Sequence, residues 1–146
     1  MDDNFCDTPM TPELVCIDIK RSLDFYVGVL GFKIQYERPE EGFAMLERQG
    51  SRLMLDQLMP NKRSWLSGDL EYPFGRGMNF QMDTTDVASL YERAKSSGAK
   101  IILELEEKWY RADDILMGNR QFIVLDPDGF MLRFAEDLGE KPFVQE

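Results

Sequence analysis

The amino-acid sequence predicts an α+β fold made of two copies of a βαβββ module. Strand-like and helix-like segments follow the same order twice, five residues recur at a single offset, and an irregular stretch separates the copies. The 146 residues suit one compact unit or two small halves that share a core. The predicted organisation is a tail over 1–10, a first module over 11–58, a connector over 59–77, a second module over 78–137 and a tail over 138–146.

The first module opens with an alternating, apolar segment over 13–19 that is typical of a strand. Residues 20–30 then place apolar side chains at helical spacing, and Gly31 predicts the end of that helix. The apolar positions of the helix are Leu23, Tyr26, Val27 and Leu30. Three further strands are predicted over 32–38, 43–47 and 52–58, the last two joined by a turn at Gln49–Gly50.

The second module repeats this order after a connector that contains prolines and glycines. Asp86 can cap a helix that continues to about Ser97, and Gly98 predicts its end. The segment Asp126–Gly129 has the composition of a tight turn between two strands. The strand patterns of this module cover 78–83, 101–105, 121–125 and 130–135.

The two copies can be aligned by a shift of 67 positions. The shift superimposes residues at the start of the helix, at its end and at the entry to the following strand. The matched pairs are Ser22 with Ser89, Leu23 with Leu90, Gly31 with Gly98, Lys33 with Lys100 and Ile34 with Ile101. Repeated units of this size bury their apolar faces by stacking on each other, so we expect the copies to form one domain.

The charge of the chain argues against a nucleic-acid partner. There are 27 Asp and Glu against 17 Lys and Arg, which gives a formal net charge of −10 and an isoelectric point near 4.5. An acidic surface repels phosphate backbones and attracts cationic ligands, although many acidic proteins are simply soluble. The hydrophobic fraction of 43% is ample for a folded core.

Two cysteines, Cys6 and Cys16, are too few for a disulfide framework, so free thiols in a reducing compartment are expected. The N-terminus lacks the apolar run of a signal peptide, and no stretch approaches the ~18 apolar residues of a membrane-spanning helix. We therefore expect a cytoplasmic protein with no membrane partner.

Two signatures identify a family resemblance. The segment SLDFYVGVLGF over 22–32 is similar to the opening signature of the vicinal-oxygen-chelate superfamily, which contains glyoxalases, bleomycin-resistance proteins and dioxygenases. The segment VLDPDGFMLR over 124–133 resembles the hairpin that closes members of this superfamily. A DPDG turn alone is weak evidence, but both signatures in this order, about a hundred residues apart, are strong. The resemblance extends over roughly residues 10–137.

Within the superfamily, the chain most resembles small bleomycin-resistance proteins. The resemblance implies a homodimer in which curved mixed sheets surround clefts that hold a small molecule. In resistance proteins each cleft sequesters an antibiotic, whereas in the enzymes the same cleft holds a divalent metal. The leading interpretation is therefore a binding protein for a planar or cationic small molecule, including bleomycin-type antibiotics.

The positions that ligate metal in the enzymes are not kept. Carried over one by one, they fall near Thr11 or Pro12, near Asp56, near Asn79 and at Arg133, and only Asp56 is a good ligand. The chain contains no histidine, and a guanidinium cannot lose its proton in a protein. We therefore predict no metal cofactor and no catalytic residue. Two alternatives stay open: a lyase or dioxygenase with an atypical metal site, and a ligand-sensing accessory protein.

The predicted ligand-binding residues come from these strands and from aromatic residues in nearby segments. Alternate strand residues share a face, so we expect Met131 to face the cleft together with other strand residues, namely Met54, Asp56, Asn79, Gln81 and Arg133. The aromatic candidates are Trp65 in the connector and Trp109 and Tyr110, which precede a predicted loop over 111–119. The alternatives are an ion pair between Asp56 and Arg133 in a packed core, and aromatic side chains that only anchor their loops.

Overall fold

The computed structural model describes residues 8–144 and divides them into two compact units. The first unit takes the chain up to Gly77 together with the turn Asp126–Phe130. The second unit takes Met78–Leu125 and the chain from Met131 onwards. Each unit contains one four-stranded sheet with the same strand order, which agrees with the predicted repeat.

The first sheet has the order β1-β4-β3-β2. Strands β1 and β4 run parallel, and the β2–β3 and β3–β4 pairs are antiparallel. The elements are β1 (Glu13–Cys16), α1 (Ile19–Leu23), a π-helical turn (Asp24–Val29), β2 (Lys33–Arg38), a 3₁₀ turn (Pro39–Glu41), β3 (Phe43–Arg48) and β4 (Ser51–Gln57). The predicted β-α-β-β-β order of this module is confirmed.

The helix predicted over 20–30 consists of two parts. Asp18 caps α1, because its carboxylate accepts hydrogen bonds from the amides of Lys20 and Arg21. The chain then widens into the π-helical turn, which places two aromatic side chains in the core. Gly31 ends the helical segment with φ of 82°, as predicted.

The second sheet has the order β5-β8-β7-β6, with β5 parallel to β8 and the other pairs antiparallel. Its elements are β5 (Asn79–Asp83), α2 (Val87–Ser96), β6 (Ile101–Ala112), β7 (Ile115–Leu125) and β8 (Met131–Pro142). Asp86 occupies the N-cap position of α2, but its carboxylate accepts a hydrogen bond from the Thr84 hydroxyl instead of capping the helix. The predicted helix is therefore confirmed, whereas the predicted capping contact is wrong.

The loop predicted over 111–119 is wrong. Strands β6 and β7 continue as a hairpin whose turn lies at Asp113–Asp114, and β8 extends alongside them to Pro142. Near its turn, the hairpin extends past the strand residues that lie next to α2. Many side chains of this extended part are exposed on both faces of the sheet. Its sequence therefore lacks the alternation of a half-buried strand.

The turn Asp126–Phe130 is held by the helical segment of the first unit. The Asp126 carboxylate accepts hydrogen bonds from the amides of Asp128 and Phe130, each at 2.9 Å, and from the Tyr26 hydroxyl at 2.7 Å. Burial raises the pKa of Asp126, and these hydrogen bonds partly oppose that increase. Burial beside this carboxylate also raises the pKa of Tyr26 well above its usual value.

The second carboxylate of the same turn, Asp128, is also buried. It accepts hydrogen bonds from the Arg21 guanidinium at 2.9 Å and from the Ser22 hydroxyl at 3.3 Å. Ser22 and Tyr26 belong to the first sequence signature, and the two aspartates belong to the second. The signatures occur together in the sequence because their side chains bind each other in the fold.

Gly129 is required by a close contact within the first unit. Its φ is +95°, and a Cβ atom at this position would lie 2.4 Å from Cα of Pro73. Both the backbone conformation and the available space therefore exclude larger residues. The connector residue Pro73 and the turn form part of one tightly packed region.

Residues 58–78 contain neither helix nor strand, as expected for the connector. No helix in the described range 8–144 is long and apolar enough to cross a membrane. Cys16 is a buried free thiol whose pKa is raised by burial to about 12, whereas Cys6 lies outside the described residues.

Candidate ligand pocket

The first unit contains a cavity of about 500 Å³ between its sheet and the start of the connector. Strands β1, β3 and β4 supply Glu13, Phe43 and Asp56, and the connector supplies a wall over 59–65. The register explains the grouping, since Phe43 lies opposite Asp56 and Glu13 lies beside Met54, two positions before Asp56 on β4. Paired residues share a face, so these side chains converge on one side of the sheet.

Four acidic and three basic side chains line this cavity. The acids are Glu13, Glu40, Glu41 and Asp56, and the bases are Arg38, Lys62 and Arg63. The formal charge of the lining is therefore −1, from three positive and four negative groups. The cavity also contains two aromatic rings, Phe43 and Trp65, and 69% of the Trp65 surface is exposed.

Lys62 binds at the floor of the cavity through three acceptors. Its ammonium lies 2.5 Å from Oδ1 of Asp56, 2.5 Å from the carbonyl oxygen of Glu41 and 2.8 Å from that of Gln57. An ammonium group has three N–H donors, so Lys62 is fully satisfied. Asp56 is only 6% exposed, and its other oxygen accepts a hydrogen bond from the Ser64 hydroxyl at 3.4 Å.

A cationic side chain of the protein contacts each aromatic ring of the cavity. The Arg38 guanidinium carbon lies 4.1 Å from the centre of the Phe43 ring, and that of Arg63 lies 4.8 Å from the Trp65 ring. Arg38 also pairs with Glu41 at 2.5 Å. These distances are typical of cation–π contacts, which are strongest with indole. The cavity therefore has three surfaces that hold positive charge.

Two carboxylates of the cavity make no hydrogen bond or ion pair with another residue in the range 8–144. They are Glu13 on β1 and Glu40 in the 3₁₀ turn. Burial raises the pKa of Glu13, and the nearby Asp56 carboxylate raises it further, while Lys62 and Arg38 oppose the increase. Negative charge is thus held in excess beside the Lys62 site.

A second polar group of residues lies on the sheet of the second unit, around Gln121 on β7. Gln121 is 2% exposed, and its amide nitrogen donates to Glu106 at 3.0 Å and to the Tyr110 hydroxyl at 2.7 Å. Its carbonyl oxygen accepts hydrogen bonds from Nε and Nη2 of Arg133 at 3.0 and 2.8 Å. The four hydrogen bonds use the full capacity of the amide and fix the Arg133 guanidinium.

Trp109 lies on the opposite face of this sheet from Tyr110, as expected for neighbours on a strand. Its ring covers Gly118, where a Cβ atom would lie 2.6 Å from the indole, and Lys141 contacts the ring at 4.0 Å. The arrangement matches one alternative raised by the sequence, in which the aromatic residue anchors its segment.

The predicted site residues thus fall into separate groups. Met54, Asp56 and Trp65 belong to the first unit, and Asp56 and Trp65 line its cavity. In the second unit, Asn79 and Gln81 lie beside Met131 and Arg133 on adjacent strands, on the face that carries Tyr110. Trp109 shares no face with them. The ion pair of Asp56 is with Lys62 of its own unit, and Arg133 binds Gln121.

The sequence missed four residues that organise these groups: Glu13, Arg38, Lys62 and Gln121. Glu13 could have been found, because alternation in β1 places it on the face opposite the buried Leu14 and Cys16. Gln121 is a polar residue in an otherwise apolar strand segment, which is also a usable signal. Lys62 gives no such signal, since the connector has no periodicity.

The residues at the metal-ligand positions of related enzymes do not fit a divalent ion. Asp56 is already neutralised by Lys62, Arg133 is a permanent cation and Pro12 has no ligating side chain. Within residues 8–144, no group of three or more acidic, cysteine or histidine side chains is arranged to hold a metal.

Comparison with known proteins agrees with this architecture. The family model described as the glyoxalase/bleomycin resistance protein/dioxygenase superfamily matches residues 10–134. A bleomycin resistance protein of Geobacillus stearothermophilus is 27% identical over 139 residues, covering 87% of this chain and 95% of the relative.

Two solved structures add to the comparison. TioX from Micromonospora sp. ML1 is 26% identical with a TM-score of 0.65, and the match covers 90% of this chain and all of TioX. A glyoxalase/bleomycin resistance protein/dioxygenase superfamily member from Vibrio splendidus 12B01 is 40% identical, covers 88% of this chain and 97% of its own, and has a TM-score of 0.41. The repeated module, the two interacting signatures and the family match together show that this chain belongs to the glyoxalase/bleomycin resistance protein/dioxygenase superfamily.

Proposed function

We propose that the protein is a metal-independent binding protein of the bleomycin-resistance type, which captures a planar or cationic small molecule without altering it. The observation that carries the proposal is the cavity of the first unit, where two aromatic rings and a buried carboxylate each hold a positive charge. Surfaces that bind the protein's own cations have the chemistry to bind a cationic ligand.

The size and lining of the cavity support the same proposal. A volume of about 500 Å³ lies within the range of small-molecule sites, roughly 300–1,000 Å³. The exposed Trp65 indole offers a flat surface for stacking, and the free carboxylates of Glu13 and Glu40 add negative potential. The bleomycin resistance protein of Geobacillus stearothermophilus provides the ligand class to test.

Homodimerisation in the reducing cytoplasm is part of the proposal. The family resemblance implies a dimer cleft, of which the first-unit cavity would form one part. The buried thiol Cys16 suits a reducing compartment, because thiols there stay reduced. A metal-dependent lyase or dioxygenase receives no support from the donor set, and no observation favours a ligand-sensing accessory role.

The test is a calorimetric titration of the chelator-treated protein with metal-free and with copper-loaded bleomycin. We expect saturation near one drug per subunit with a dissociation constant below about 1 μM, because protection by occupancy alone needs tight binding. Absence of heat with both forms of the drug, together with no change in the fluorescence of Trp65 or Trp109, would exclude bleomycin as the ligand.

Fluorescence gives an independent readout of the same binding. The chain has two tryptophans, and only Trp65 lines the cavity. We expect bleomycin to change the emission of Trp109→Phe and to leave that of Trp65→Phe unchanged. The reverse pattern would place the ligand away from the first-unit cavity.

A further inference from the structure

The ammonium of Lys62 occupies a site that is built to receive a primary amine. Its three acceptors are one carboxylate oxygen and two main-chain carbonyl oxygens, all within 2.8 Å. Three oxygen acceptors match in number the three N–H donors of an –NH₃⁺ group, whereas a quaternary ammonium has no N–H donor and a guanidinium spreads its donors over a larger plane.

The three oxygen acceptors and the Lys62 ammonium that they bind lie in different kinds of secondary structure. Asp56 and Gln57 are in β4, and Glu41 ends the 3₁₀ turn that precedes β3, so two acceptors lie on the sheet and the third on the turn beside it. Lys62 lies in the connector, which contains no helix or strand over 58–78. The acceptors are therefore supplied by regular secondary structure, whereas the occupant is supplied by an irregular segment.

The surroundings hold more negative charge than Lys62 neutralises. Glu13 and Glu40 line the same cavity and make no hydrogen bond or ion pair within residues 8–144, while the charges of Lys62 and Arg38 act on Glu13 and that of Arg38 on Glu40. The side chain of Lys62 is 21% exposed and lines the cavity. A ligand amine that enters would find the carboxylate, the carbonyl oxygens and an aromatic surface within one cavity.

We propose that Lys62 is an internal competitor, which occupies a primary-ammonium subsite until the ammonium of a ligand displaces it. The inference rests on the proposed binding function and specifies its ligand class: a primary amine attached to a flat ring system. The cost of displacing Lys62 is paid by every such ligand, so weakly bound amines are rejected. Quaternary ammonium and guanidinium compounds gain nothing at this subsite.

The test uses tryptamine, which carries a primary ammonium beside an indole, and its N,N,N-trimethyl counterpart. Binding to wild type, Lys62→Met and Lys33→Met is measured by calorimetry. Lys33 is exposed on β2 outside the cavity, so its replacement controls for the lost positive charge. An occupant present in about nine-tenths of molecules lowers apparent affinity about tenfold. We therefore expect Lys62→Met to bind tryptamine about tenfold more tightly than wild type.

Lys33→Met should remain within about twofold of wild type, and the trimethyl compound should show no gain with Lys62→Met. Equal or weaker binding of tryptamine by Lys62→Met would overturn the competitor role, and so would an equal gain for the trimethyl compound. The bleomycin titration separates this outcome from the proposed function. If wild type binds bleomycin but Lys62→Met binds tryptamine no more tightly than wild type does, only the competitor role fails. If Lys62→Met binds tryptamine more tightly than wild type, but neither wild type nor any variant binds bleomycin, the primary-ammonium subsite is supported and the resistance function fails.

A measurement on the unmodified protein removes dependence on the folding of the variant. Lysine acetylation by a soluble active ester in excess over all amines, including tryptamine, is followed by peptide mapping, and the acetylation of Lys62 is expressed relative to that of Lys33 in the same sample, which cancels the ester that tryptamine consumes. We expect Lys62 to be protected in the free protein and to become reactive when saturating tryptamine is present. Equal reactivity of both lysines in the free protein, or continued protection of Lys62 with bound tryptamine, would overturn the proposal.

Discussion

The two modules place opposite charges at equivalent positions of their two sheets. Asp56 on β4 lies beside the third residue of β1, and Arg133 on β8 lies beside the third residue of β5. Both follow a Met-Leu pair, Met54-Leu55 in one module and Met131-Leu132 in the other. The two modules therefore share the same backbone arrangement but carry side chains of opposite charge at this position.

The two charges are also held in different ways. Asp56 is paired with Lys62 from an irregular segment, whereas Arg133 is bound by Gln121 from the neighbouring strand. A partner on a strand is fixed by the sheet register, and a partner on a connector can be exchanged. The fold determines the position of each charged side chain. The element that supplies its partner determines how easily a ligand replaces that partner.

The equivalent hairpins of the two modules provide the largest predicted difference. Gly50 in the β3–β4 turn and Gly129 in the β7–β8 turn have φ of +93° and +95°. A Cβ atom at Gly50 meets nothing within 4 Å, whereas at Gly129 it would lie 2.4 Å from Pro73. We expect Gly50→Ala to cost about 1–2 kcal/mol of unfolding free energy and Gly129→Ala about 3 kcal/mol or more.

Denaturant unfolding of both variants measures this difference, and Gly50→Ala is the control for backbone conformation alone. Equal losses of stability would show that the contact with Pro73 adds nothing. The close approach of Pro73 to the turn would then impose no steric cost of its own.

The next prediction concerns the charge at Asp56. Asp56→Asn keeps the shape of the side chain but removes the charge that holds a cation, and charge-assisted hydrogen bonds contribute about 1.5–3 kcal/mol. We expect bleomycin affinity to fall by about tenfold to a hundredfold. Asp24→Asn, an exposed position outside the cavity, makes the same change in net charge and should have almost no effect. Similar losses in both variants would indicate general electrostatic attraction without a specific site.

In the second module the corresponding prediction concerns stability. Gln121→Leu keeps the volume but leaves Arg133, Glu106 and Tyr110 without their shared partner. Removing one partner from buried hydrogen bonds costs about 1–3 kcal/mol, so we expect a loss of about 2 kcal/mol in unfolding free energy. Gln81→Leu, an exposed change on β5 of the same sheet, is the control for added apolar surface. A loss below about 0.5 kcal/mol would mean that Gln121 does not organise this group.

The order of elements was predictable because each half-buried strand alternates and each helix has a 3.6-residue period. The extended β6–β7 hairpin was not, because the charged residues Glu106, Glu107 and Lys108 interrupt the alternation and both faces of the arm are accessible. The π-helical turn leaves no distinct pattern in the sequence, since the same residues also fit an α-helix. Local periodicity therefore predicted the sheets near their helices and failed away from them.

The candidate site was predictable only where strands supply it. Asp56 was found because the family resemblance places a cleft-facing ligand position there, and Gln121 was assigned to a strand without its role. That role depends on register shifts in β6, between Leu103 and Glu106, that no sequence pattern reveals. Lys62 depends on the path of the connector, which is determined by tertiary contacts. In a pocket formed between a sheet and a loop, the strand residues can therefore be predicted from the sequence, whereas the loop residues cannot.

The acid pH dependence of stability tests the buried turn. The pKa of Asp126 is raised by burial above its ordinary value of 3.8, so the folded state keeps this proton to a higher pH than the unfolded chain. Between the two pKa values the folded state binds more protons, and the contribution of Asp126 to stability falls as pH rises. We expect the stability of wild type relative to Asp126→Asn to decrease from pH 3.5 to pH 7, measured by urea unfolding. A constant difference would contradict the raised pKa.

The smallest predicted effect is the pH dependence of ligand binding through Glu13. Burial and the nearby Asp56 raise the pKa of Glu13 above its ordinary 4.5, so its charge is lost earlier on acidification than that of an ordinary glutamate. A bound cation favours the ionised carboxylate, and affinity for bleomycin should therefore weaken as pH falls from 7 toward 4.5. Glu13→Gln should bind more weakly at pH 7 and lose less affinity on acidification, whereas Glu37→Gln, exposed on β2 outside the cavity, should follow wild type. Parallel losses in wild type and Glu13→Gln would assign the pH dependence to another group of the cavity or to the ligand.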